Sequence, residues 1–164
     1  MRYAVPALIL GILLAVTPVA AADCLQEQAI YGDAGGAYEL RFEPVGSPSA
    51  ATSNHFKVKV AKTDLVLDGI VMQSGEPVRP NGMIMNNCPE GDVTGNEIDA
   101  CTVWEGVIYS IGTDGEAGSL PEEGRQAAAQ LLLPDLGPAV RNSSIWGKAT
   151  VAPWDVLTLK GCAQ

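Results

Sequence analysis

Histidine is nearly missing from this chain: His55 is the only one in 164 residues. Imidazole is the commonest nitrogen ligand of zinc and related metals, so a histidine-built metal centre is excluded by number alone. No C-x-x-C pair occurs, which removes thioredoxin-type redox chemistry and the common zinc motifs. No G-x-S-x-G elbow occurs either, so the usual way of presenting a hydrolase serine is absent. The glycine-rich stretch Gly32-Asp33-Ala34-Gly35-Gly36 lacks the lysine that a phosphate-cradling loop requires. Basic residues are scarce, 10 Lys and Arg against 19 Asp and Glu, for a formal net charge of −9. That field repels phosphate backbones and anionic lipid, so nucleic acid is not an expected partner, whereas a cationic protein or peptide is attracted.

Long apolar runs are also lacking, with one exception at the start. Met1-Arg2-Tyr3 precedes an apolar segment from Ala4 to Val16, and Thr17 to Ala22 forms a small-residue exit. Those are the parts of a secretory signal peptide, with cleavage expected near Ala22. The run is shorter than the roughly 20 apolar residues of a lasting membrane span, so no membrane anchor is expected. Lipidation of Cys24 is the alternative, but Asp23 precedes the cysteine and Ala21 stands where the lipoprotein signal has leucine. Residues 1–22 are therefore expected as a signal peptide and 23–164 as a single β-rich secreted domain, periplasmic or released.

Four cysteines remain: Cys24, Cys88, Cys101 and Cys162. An even number in an exported domain reads as a disulfide framework, and four cysteines allow three pairings. Joining Cys24 to Cys162 would tie the two ends together; joining Cys88 to Cys101 would close a loop.

Tyr38, Leu40 and Phe42 alternate with Glu39, Arg41 and Glu43, and Phe56, Val58 and Val60 alternate around Lys57 and Lys59. Period two with one charged face predicts half-buried strands. A further strand is predicted over Leu65 to Gln73, with a bend at Asp68-Gly69. Pro77, Pro80 and Asn81-Gly82 mark residues 74–82 as a loop. Apolar runs on either side of Cys88 and Cys101 predict a hairpin. Ser119 and Glu122 fit a capping box ahead of an alanine- and leucine-rich stretch, which predicts a helix ending at Pro134. A short helical turn is expected near Asp135 to Ser144 and a last strand near Trp154 to Cys162. The expected fold is β-rich α+β: five to six mostly antiparallel strands in a sheet or small open barrel, one helix in the C-terminal half, and two disulfides.

Twelve residues separate Cys88 from Cys101, and Glu90, Asp92, Glu97 and Asp99 lie among them. Counted from Asp92 as a calcium loop, Glu97 falls where glycine is required and Val103 where the bidentate glutamate is required, so no metal and no cofactor are expected. The carboxylates are expected to solvate a bridged hairpin tip, with contact to a cationic partner as the second use. Glu105 lies between Trp104 and Gly106 in an apolar strand, where burial would raise its pKa. Together with His55 it is the best material for a hydrolase, although no catalytic residue is assigned. Trp146 and Trp154 lie in a looser segment and would form a sugar-stacking platform if exposed on one face.

The segments "NNCPEG", "CTVWEGVIYSI", "LLLPDLGPAV" and "WDVLTLKGC" together resemble small exported bacterial proteins that carry an uncharacterised-domain label, a resemblance that implies no activity. The segment "MQSGEPVRPNG" is similar to a cleft-entering loop of the periplasmic inhibitors of C-type lysozyme. It offers Ser74-Gly75 on a proline-stiffened loop with Arg79 nearby, although no tyrosine follows. Function is expected to be that of a non-enzymatic exported module that binds an unidentified partner or supports the cell envelope. The alternatives are an inhibitor of a cationic enzyme acting through the Ser74–Gly82 loop, and a hydrolase.

Overall fold

The computed structural model describes residues 24–47, 51–92 and 94–163; the expected leader lies outside them. A single 3-10 turn, Gln26–Gln28, leads into β1 (Ala29–Asp33), β2 (Tyr38–Glu43), β3 (Asn54–Val60), β4 (Val66–Ser74) and β5 (Arg79–Met85). Helix α1 (Gly95–Cys101) then precedes β6 (Thr102–Val107), β7 (Tyr109–Ile111), β8 (Ala117–Ser119) and β9 (Gln130–Leu132). Helix α2 (Leu136–Asn142) and β10 (Val156–Cys162) complete the described chain. Neither helix is long and apolar enough to cross a membrane.

The described strands form one ten-stranded sheet in the order β6-β5-β4-β3-β2-β1-β10-β9-β7-β8, and every pairing is antiparallel. The first six strands are a plain meander. Strands β6 and β7 lie far apart in that order, yet only Ile108 separates them in the chain. The sheet must therefore curl into a half-barrel that brings β7 back beside the end of β6. Ile108 is fully buried at this corner and donates its backbone N–H to Pro80 O at 3.0 Å.

The alternating patterns of β2 and β3 place Tyr38, Leu40, Phe42, Phe56, Val58 and Val60 inside, as expected from their period. A transverse layer crosses five strands through the direct partners Phe42, Phe56, Gly69, Ile84 and Trp104. Phe56 stacks at 5.2 Å from Phe42 and its ring covers Gly69, where an added Cβ would stand 2.2 Å from the ring. The outer face carries the cross-strand pairs Glu43–His55, at 3.6 Å, and Lys57–Asp68.

Both disulfides form, Cys24–Cys162 and Cys88–Cys101. The first spans 138 positions, for which unfolded-chain restriction contributes on the order of 4–5 kcal/mol. It acts beside the β1–β10 ladder, in which Ala29 faces Cys162 and the Ala163 N–H donates to Gln28 O at 2.8 Å. Two disulfides fit a compartment outside the cytoplasm.

Three expectations are corrected. Ten strands among the described residues replace five to six, because short segments such as β7 to β9 carry no readable period. The helix expected between Ser119 and Pro134 does not form: Ser119 lies in β8, Leu25 bridges Gln126, and Gln130–Leu132 form β9. The Gln26 N–H to Arg125 O and Ala127 N–H to Cys24 O bonds, each 2.8 Å, give this backbone a sheet-like partner. Such long-range pairing outweighs a helix preference of only a few tenths of a kcal/mol per residue, which Gly124 weakens further. The Asn81-Gly82 pair lies within β5 and makes no turn. Gly82 faces Gly106, and an added Cβ at Gly82 would stand 2.6 Å from Ile108 Cδ1, so the pair makes room for Ile108 and the Trp104 indole.

Gly69→Ala should destabilise the protein by about 1–3 kcal/mol in denaturant unfolding, the usual cost of overpacking. Phe56→Leu in the same chain should recover part of that loss.

Candidate functional site

The acidic loop carries more structure than a solvated hairpin tip. Thr94 and Glu97 form a capping box for α1, and Glu97 Oε2 accepts from both the Thr94 N–H and the Thr94 hydroxyl at 2.8 Å. The backbone bond first, and then the hydroxyl bond, hold the Glu97 carboxyl below its ordinary pKa. Glu97 is thus occupied within its own helix. Glu90, Asp92 and Asp99 are exposed. Among the described residues no three His, Cys, Asp or Glu side chains converge as a metal-binding group.

Ser74 ends β4 and Arg79 begins β5, so the expected Ser74–Gly82 loop is a turn of four exposed residues, 75–78. Its stem is braced by Asn81, whose Nδ2 donates to Ser74 Oγ at 2.8 Å, to Arg79 O at 3.0 Å and to Ser74 O at 3.1 Å. Arg79 Nη1 donates to the Tyr109 hydroxyl at 3.1 Å. Gly75 adopts φ +90°, which only glycine takes readily.

His55 and Glu105 do not come together. His55 on β3 pairs with Glu43 on β2, Glu105 is exposed on β6, and strands β4 and β5 lie between His55 and Glu105.

The three tryptophans divide. Trp104 is buried, and its indole N–H donates to Pro134 O at 2.8 Å, tying β6 to the start of α2. Trp146 is 40% exposed and Trp154 is 71% exposed. Their placement follows from their neighbours. Ile145 and Ala149 are buried anchors of a tight turn with Gly147 at φ +106°, which directs Trp146 outward. Pro153 is buried against α2, leaving Trp154 at the surface.

The floor of this region is set by Asp155. Its backbone carbonyl accepts from the Leu133 N–H at 2.9 Å, and its carboxylate accepts from the Asp135 N–H at 2.9 Å and the Gly137 N–H at 3.4 Å. Helix α2 approaches so closely that a Cβ on Gly137 would stand 2.5 Å from Pro153 O. Arg141 follows one helical turn after Gly137 and so lies on the same side of α2. Its guanidinium sits 5.3 Å from the centre of the Trp146 ring, a cation–π contact. Gly137, Arg141, Pro153, Trp154 and Asp155 line a cavity of about 340 Å³.

A second cavity, of about 400 Å³, opens where the turn at Gly35 to Ala37, the turn at Ala61 to Thr63, and residues Lys148, Thr150 and Val151 meet. The Tyr38 hydroxyl donates to Val151 O at 2.7 Å and holds the last segment in place. Burial, and secondarily the Asp33 charge, raise the Tyr38 pKa, which keeps the hydroxyl a donor.

The chain matches no family model, no curated protein and no solved structure. The geometry alone therefore defines the candidate site: an exposed aromatic and cationic face around α2 and residues 146–155.

Two of these features had a signal in the sequence. The spacing Thr94-x-x-Glu97 is a capping-box pattern that announces α1. Residues 136–154 contain Arg141 and Lys148 but no Asp or Glu, a local reversal of the chain's charge. The convergence of Arg141 with Trp154 had no such signal, because it depends on how α2 packs on Pro153.

The capping bond should read out as a pH effect. A lowered carboxyl pKa means that its stabilisation of α1 is present above the ordinary glutamate value and is lost as pH falls through the depressed one. Side-chain NMR titration should place Glu97 below the exposed glutamates of the same chain. Glu97→Ala should speed amide exchange in α1 at neutral pH and remove that acid dependence.

Proposed function

We propose that this protein is an exported, disulfide-stabilised binding module, and that the face formed by Arg141, Trp146 and Trp154 is where it holds its ligand. The observation that carries the reading is the exposure of Trp154, 71%, at the rim of a concavity. Leaving a tryptophan in water forgoes on the order of 2–3 kcal/mol of burial, and large aromatics beside a polar cation are the usual anchors of binding surfaces. A rigid floor supports the reading, since Asp155 and the Gly137–Pro153 contact fix both walls of the groove. Preorganisation of that kind lowers the ordering cost of binding. The role is to hold a ligand and not to transform it, as expected from a chain without a recognisable nucleophile or acid–base pair.

Purified protein should be retained by an insoluble cell-envelope preparation, and Trp154→Ala should lower the bound fraction at least fivefold. Val66→Ala, which trims another exposed apolar side chain, should leave it unchanged. Equal retention of all three proteins, or none, would defeat the reading.

A second reading is favoured by the Asn81-braced turn at residues 75–78, which is fully exposed and bears Val78 at 65% exposure. A rigid protruding turn is suited to entering the cleft of a cationic enzyme, toward which the net charge would steer it. Under this reading, micromolar protein should slow lysozyme-driven lysis at low salt, and Asn81→Ala should weaken that effect severalfold. An unchanged lytic rate removes it.

A further inference from the structure

Resting on the reading of the Trp154 groove as a ligand site, we infer that the ligand is an acidic polysaccharide. The sugar ring would stack on Trp154 with its carboxylate against Arg141, and neighbouring acidic units would reach the cavity bearing Lys62 and Lys148.

Charge is the first reason. The whole chain carries −9, yet residues 136–154 hold Arg141 and Lys148 with no acidic residue among them. Arg141, Lys148 and Lys62 form no ion pair among the described residues. Lys59, Arg79, Arg125 and Lys160 are also outside ion pairs, and what sets Arg141 and Lys148 apart is the acid-free stretch that carries them. Asp155, the carboxylate lining the groove, already accepts two backbone N–H groups. A local excess of positive charge beside two cavities is suited to an anionic ligand. At physiological ionic strength the screening length is roughly 8 Å, so the acidic residues elsewhere oppose such contacts only weakly.

Shape is the second reason. The Trp154 indole presents an exposed, electron-rich face beside a cavity of about 340 Å³. The C–H face of a pyranose ring carries partial positive charge and suits that π surface. Arg141, held against Trp146, offers its planar fork of donors to a carboxylate. A lipid surface would bury exposed apolar side chains without using the two cavities that flank Val151 and Trp154. An extended acidic peptide has the charge but no ring to cover the indole.

Continuity is the third reason. Lys148, Thr150 and Val151 line the second cavity, while Ala152, Pro153 and Trp154 line the first. Consecutive Cα atoms are about 3.8 Å apart, so Val151 and Pro153 lie within roughly 7–8 Å of each other. Two adjacent cavities, one lined by Arg141 and the other by Lys62 and Lys148, fit a linear polyanion better than an isolated sugar acid.

The experiment measures affinity by calorimetry in 0.15 M salt, with full-length processed protein and oligogalacturonate hexamer as the probe. Galacturonate monomer, neutral maltohexaose, hexaglutamate and phosphatidylglycerol vesicles are the comparisons. The hexamer should bind at least tenfold more tightly than the monomer or any other comparison and should shift tryptophan emission. Trp154→Ala should lower hexamer affinity at least tenfold. Arg141→Gln should lower hexamer affinity at least tenfold and abolish the preference for galacturonate monomer over neutral sugar. Lys62→Gln with Lys148→Gln should weaken the hexamer severalfold and leave the monomer unchanged, while Lys59→Gln on β3 should change nothing. Unchanged melting temperatures in these surface variants keep a loss of binding distinct from unfolding.

Equal binding of acidic and neutral sugars, preference for hexaglutamate or vesicles, or a hexamer affinity unmoved by the Lys62 and Lys148 changes would overturn the inference. Absence of hexamer binding, together with envelope retention that still depends on Trp154, would overturn the ligand class and leave the binding-module reading standing. Loss of both would end both.

Discussion

Strand β10 is the constraint on which the rest of the molecule depends. Among the described strands it alone pairs both with the six-stranded meander, through β1, and with the group β9, β7 and β8, through β9. The Leu25–Gln126 bridge, with its Gln26–Arg125 and Ala127–Cys24 backbone bonds, adds a shorter connection between the same two parts. The ladder from β10 to β1 is reinforced by the Cys24–Cys162 disulfide, which restricts the unfolded chain over nearly its whole described length. The same strand follows directly from Asp155, so the ladder that closes the half-barrel also sets the position from which Asp155 organises α2. Trp104 supplies the second tie, from β6 to Pro134. The groove is therefore held by β6 at one edge of the sheet and by β10 in its interior.

That arrangement separates the core from the candidate site. The core holds the Tyr31, Tyr38, Phe42, Phe56 and Trp104 rings and their aliphatic neighbours, and none of these lines the groove beside Trp154. Trp146 and Trp154 are carried on a segment whose anchors, Ile145, Ala149 and Pro153, are small or aliphatic. Their indoles can thus remain in water without a cost to the core. Charge is divided in the same way: acidic residues dominate the chain, while the segment after α2 begins is locally cationic. A long-range field of one sign and a contact surface of the other are compatible, because they act at distances on opposite sides of the screening length.

The legible parts of the fold were those in which one strand reports its own environment. Tyr38 to Glu43 and His55 to Val60 alternate because one side of each faces the core and the other faces water. The hairpin flanking Cys88 and Cys101 was legible for a similar reason, as two apolar runs around a polar one. The stretch after Ser119 misled because alanine and leucine favour a helix only weakly, and its actual partners, Cys24 and Gln26, lie about a hundred residues away. Asn81-Gly82 misled in the same manner, since the need for glycine came from Trp104 and Ile108 across the sheet. At the candidate site, Trp146 and Trp154 stood out by position beside Gly147 and Pro153. Arg141 did not, because nothing near it in the chain shows that it overlies Trp146.

By itself, the sequence determined the strand faces of β2 and β3, the even cysteine set, the acidic balance and the lack of a histidine-built metal centre, all of which follow from local pattern or from counting. Only the tertiary structure decided which cysteines join, that ten described strands curl through Ile108, and that Arg141, Trp146 and Trp154 share one face. Those outcomes depend on contacts between distant residues, and such contacts are selected by shape and by the satisfaction of backbone hydrogen bonds, neither of which a short stretch of chain records.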